Sequence, residues 1–68
     1  MLVQKTNQKH VQDTWKTRIS YLEDYDLISI EHFAESGKLL SKIELECEDA
    51  LDFAKSITEV VDQAIGVK

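Results

Sequence analysis

His10, His32 and Cys47 are the side chains of this 68-residue sequence best suited by type to metal binding, acid–base work or nucleophilic attack. Structural metal sites draw their ligands in pairs only a few residues apart. These three stand far from one another, so their spacing predicts no metal centre. A nucleophile needs a base beside it; none can be assigned to Cys47, which reads as a core residue. His32 reads as a partly buried structural histidine.

Carboxylates are more plentiful. Glu23, Asp24 and Asp26 form one group, and Glu44, Glu46, Glu48 and Asp49 another. Two carboxylates act as acid and base on a glycoside only across a cleft, and a single sheet with one helix leaves little room for one. Neither Gly37 nor Gly66 belongs to a glycine-rich phosphate loop. The expectation is a protein that is not an enzyme and uses no cofactor.

The segment that must organise these residues is Glu48 to Gly66. At 100° per residue, Ala50, Phe53, Ala54, Ile57, Val60, Val61, Ala64 and Ile65 share one side, with Asp52, Lys55, Glu59, Asp62 and Gln63 on the other. Acids at Glu48, Asp49 and Asp52 suit the positive end of the helix dipole, and Gly66 suits a left-handed cap. An amphipathic helix with so wide an apolar face needs a broad partner.

Upstream the period changes to two. Trp15, Thr17, Ile19 and Tyr21 alternate with Lys16, Arg18 and Ser20, predicting a strand over 13–22. Turn residues Glu23–Asp26 and Glu35–Lys38 separate it from strands over 27–33 and 39–47. With four-residue loops, Leu22 faces Leu27, Ile19 faces Ile30, Ile30 faces Ile43 and Ala34 faces Leu39. This register places Trp15, Ile19, Tyr21, Ile28, Ile30, Leu39, Ile43 and Leu45 on one face, which would receive the helix, and His32 there beside Thr17 and Ser41. The reverse face carries an Arg18, Glu31, Lys42 ladder.

The fold class is therefore α+β: a three-stranded antiparallel β-meander with one C-terminal amphipathic helix packed on one face. Residues 1–12, rich in Gln, Lys, Asn and Thr, read as a flexible arm or edge strand, and 13–68 as the single domain. An all-α helical hairpin is the alternative, because Val11, Trp15, Ile19 and Leu22, and the series from Leu40 through Ala64, also fit helical spacing.

Charge is divided unevenly. Residues 1–18 hold four cations against one acid, residues 19–68 four against twelve, and the net is −5. Such a field disfavours nucleic acid as a ligand and suits a basic protein partner. The apolar content of 43% argues against disorder. No apolar run approaches a membrane span or a signal peptide, and one cysteine forms no internal disulfide, so a reducing cytoplasm is expected.

Two surfaces follow. The series Glu44, Glu46, Glu48, Asp49, Asp52, Glu59 and Asp62 would run from a strand onto the helix, where it could imitate a phosphate backbone and occupy a nucleic-acid-binding groove on another protein. Phe33 and Leu40, paired on the reverse face and flanked by Lys16, would form an apolar interface for a homodimer or partner. The expected function is that of a small acidic inhibitor or adaptor, of the kind that phages and other mobile elements carry. The alternative is nucleic-acid binding through Lys5, Lys9, Lys16 and Arg18, with Trp15 available for stacking.

Overall fold

The computed structural model describes residues 7–66. They form strands β1 (Gln8–Thr14), β2 (Thr17–Leu22), β3 (Leu27–Phe33) and β4 (Leu39–Glu46), then helix α1 (Cys47–Val61), which runs on into a π-helical turn, Asp62–Gly66. The sheet is fully antiparallel with strand order β1-β2-β3-β4. The α+β class and the meander are as the periodicities predict, but there are four strands instead of three.

The extra strand comes from a turn inside the segment read as one strand. Trp15 and Lys16 both take positive φ, 24° and 56°, and join Thr14 to its partner Thr17 in a two-residue hairpin. Such turns favour Asn-Gly because both central residues are left-handed, so Trp-Lys gives no sequence signal of one. Trp15 consequently stands at the hairpin tip, 74% exposed, and not in a core. From Gln8 onward the expected arm is an edge strand, interrupted by a bulge between Lys9 and Gln12 that contains His10 at φ 54°.

The central register matches expectation. Leu22 faces Leu27, Tyr21 faces Ile28, Ile19 faces Ile30, and Ile30 faces Ile43. Leu22 caps a turn in which the Tyr25 and Asp26 amides both donate to its carbonyl, at 3.1 and 2.8 Å. At the far end the register shifts after His32, so Phe33 pairs with Leu39 and not with Leu40. The expected Ala34–Leu39 pairing is lost because the Ala34 amide donates to the Lys38 carbonyl instead, at 2.8 Å, closing a tighter loop in which Gly37 takes φ 95°.

The helix departs most from expectation. α1 follows β4 without a loop and, among the described residues, meets the sheet only at β4 and β3. It does not lie across the sheet, and none of its residues is fully buried. The Cα radius of gyration is 14.4 Å, against about 11 Å for a compact domain of this length. Gly66 does not take the left-handed cap conformation; the helix loosens into the π turn before it. Among the described residues Leu22 is the only apolar side chain in the buried class, joined by Ser20 and Ser29. No helix among them is long and apolar enough to cross a membrane.

Candidate interaction surfaces

The angle between helix and sheet opens an apolar groove of about 520 Å³. Its floor is the alternating face of the sheet, Thr17 and Ile19 from β2 with Ile28 and Ile30 from β3. Its wall is Cys47, Ala50, Leu51, Phe53, Ala54 and Ile57 of α1. Period two brings the isoleucines to one side of the sheet, and helical spacing brings the α1 residues to one side of the helix. The hydroxyl of Thr17 is turned to the backbone, donating to the Trp15 carbonyl at 3.0 Å. Among the described residues, none that lines the groove carries a charged side chain.

Apolar surface continues beyond the sheet. A second hollow, about 320 Å³, is lined among the described residues by α1 alone: Phe53, Ser56, Ile57, Val60 and Val61. Val60 and Ile65 are 66% and 65% exposed. The sequence pattern identified this stripe but left out Leu51 and Cys47. Leu51 lies about 40° past the edge of the stripe, and Cys47, expected in the core, is exposed at the groove.

The acidic residues are distributed as helical and strand periodicity requires. Glu48, Asp52 and Glu59 lie on the exposed polar side of α1, Asp62 follows in the π turn, and Asp49 sits at the edge of the apolar stripe one turn before Phe53; none forms an ion pair among the described residues. Glu48 and Asp49 favour the helix dipole, but no basic residue stands in the last turn, where Glu59 and Asp62 meet its negative end. On β4, Glu44 is paired with Lys42 at 3.3 Å, and Glu46 occupies the helix N-cap position without a side-chain capping bond.

Phe33 and Leu40 do not form the expected pair. Leu40 is exposed at the register shift, while Phe33 sits half-buried beneath the Arg18 guanidinium, 5.8 Å from its ring centre. The Arg18–Glu31–Lys42 register holds, but the ion pairs form elsewhere: Arg18 Nε donates to Asp13 Oδ1 at 2.9 Å. That bond and the charge of Asp13, with a smaller contribution from Glu31, raise the Arg18 pKa.

The other cations of the basic segment are also paired. Lys9 lies 3.6 Å from Glu23, and Lys16 lies 3.3 Å from Glu35 while resting 5.5 Å from the Trp15 ring centre. Lys5 falls outside the described residues. Trp15 also packs against His32, ring centres 5.4 Å apart, and His32 Nδ1 is 3.5 Å from Thr17 Oγ1. His10 is instead near Tyr21, so the two histidines and Cys47 are dispersed. Among the described residues no three His, Cys, Asp or Glu side chains converge as metal ligands. Comparison with family models, curated proteins and solved structures returns no significant match to this chain.

Proposed function

We propose that this chain is a small acidic protein-binding module without catalytic activity, an inhibitor or adaptor whose charged helix steers it to a basic surface on its target. The observation that carries this reading is the acidic C-terminal helix, where Glu48, Asp49, Asp52, Glu59 and Asp62 have no ion pair among the described residues while the sheet's charges are largely matched. Glu59 and Asp62 at the negative end of the helix each cost about 0.3–1 kcal/mol in isolation. A cationic partner relieves that cost, and the net charge of −5 speeds its approach. A basic nucleic-acid-binding groove on another protein has the matching chemistry.

A fluorescently labelled amphipathic helical peptide of leucine and lysine is a suitable probe. The chain should bind it at low salt and more weakly as salt rises, and Glu59→Lys with Asp62→Lys should weaken binding by roughly tenfold. If an acidic counterpart peptide binds equally well, the charged arc has no part in recognition.

A second reading is favoured by the exposure of Trp15 beside Lys16: base stacking on single-stranded nucleic acid. Trp15 is the only tryptophan, so its fluorescence should be quenched by a short oligonucleotide at low salt. A flat titration removes this reading, since low salt is the most permissive condition.

A further inference from the structure

We infer that the groove between α1 and the sheet is filled by α1 of a second copy of this chain, which receives the first copy's helix in return. This rests on the reading of the chain as a protein-binding module and names the occupant of its groove. The chain exposes 5764 Å², whereas a compact monomer of 7.8 kDa would expose about 4,400 Å². The excess, about 1,400 Å², is larger than the ~800 Å² that each partner contributes to a standard interface.

The chemistry of the occupant follows from the groove. It must present an apolar stripe to Ile19, Ile28 and Ile30 while keeping its own polar side in water. The distal half of α1 has that form, and among the described residues no strand of its own chain lines the hollow beside Val60 and Val61. A foreign helix in the groove would leave this distal stripe uncovered. Reciprocal exchange between two copies covers both surfaces with one contact, and a two-fold arrangement closes at the dimer. Glu48, Asp52, Glu59 and Asp62 lie on the side away from the stripe, so in both helices these four carboxylates remain in solvent and none of them is buried unpaired.

Light scattering after size exclusion, at roughly 10 and 200 µM, tests the inference on the full chain. The wild type should have twice the 7.8 kDa chain mass at both concentrations. Val60→Glu and Ile57→Glu should each halve it, whereas Phe33→Asp with Leu40→Lys should not. Val60 and Ile57 are 66% and 51% exposed within one chain, so loss of structure by circular dichroism in either monomeric variant also supports the dimer as the folding unit. A wild-type monomer, a larger closed ring, or a dimer broken only by the Phe33 and Leu40 changes overturns it. A monomer that still binds the cationic peptide overturns the second-copy occupant alone. A dimer of the expected mutational pattern that binds no peptide leaves the exchange intact and removes the foreign-partner reading.

Discussion

Ser20 and Ser29 face each other across β2 and β3 with 1% and 0% of their surfaces exposed, and neither hydroxyl has a hydrogen-bond partner among the described residues. Their side chains are short and sit in the two central strands, where longer neighbours on the same face enclose them. An unbonded buried hydroxyl costs about 1–3 kcal/mol. Ser20→Ala and Ser29→Ala should therefore leave stability unchanged or raise it by up to about 1 kcal/mol, read from the midpoint of urea unfolding. A loss greater than that would mean that the hydroxyls are bonded in solution.

The Trp15–Lys16 turn stores backbone strain that glycine would remove. A non-glycine residue in the left-handed region costs about 1–2 kcal/mol, partly offset by the greater freedom of glycine when unfolded. Lys16→Gly, at φ 56°, should stabilise the fold by about 0.5–1 kcal/mol, even though it removes the exposed pair with Glu35, which is worth little. Lys16→Val should do the reverse. Chemical unfolding of both variants beside the wild type decides the point, and a stabilising valine would show that the turn is not left-handed.

Tyr21 donates from its hydroxyl to Asp26 Oδ1 at 2.7 Å. This bond, followed by desolvation and the Asp26 charge, raises the phenol's pKa above its ordinary 10.0. The folded state thus holds the proton more tightly than the unfolded chain. The contribution to stability is fully present below the ordinary phenol value and is lost as pH rises through the raised one. In a Tyr25→Phe background, phenolate absorbance should appear later than for free tyrosine. Asp26→Asn, which also tolerates φ 57°, should bring it back toward the ordinary value. An unshifted wild-type titration would mean the hydrogen bond is absent.

Much of the sheet was legible because register and face are linked: a one-residue slip of β2 against β3 would have turned Ile19 and Tyr21 away from Ile30 and Ile28. The Trp15–Lys16 turn was illegible because neither residue is one that left-handed turns select. The polar β1 has no apolar alternation, so its hydrogen bonds to β2 leave no trace in hydropathy. At Phe33 the shift arises from loop closure by Ala34 and Lys38, which the apolar pattern does not encode. The α1 stripe was plain in the sequence, but amphipathicity specifies only that a helix needs a partner. Its angle to the sheet, and hence the groove, depends on how α1 leaves β4.

The most direct measurement is an isotope-filtered nuclear Overhauser experiment on a mixture of labelled and unlabelled chains, which records contacts between copies only. Helix exchange predicts cross-peaks from the methyl groups of Ile19, Ile28 or Ile30 in one copy to those of Ile57, Val60 or Val61 in the other. Intermolecular cross-peaks confined to Phe33 and Leu40, or none at millimolar concentration, would contradict it.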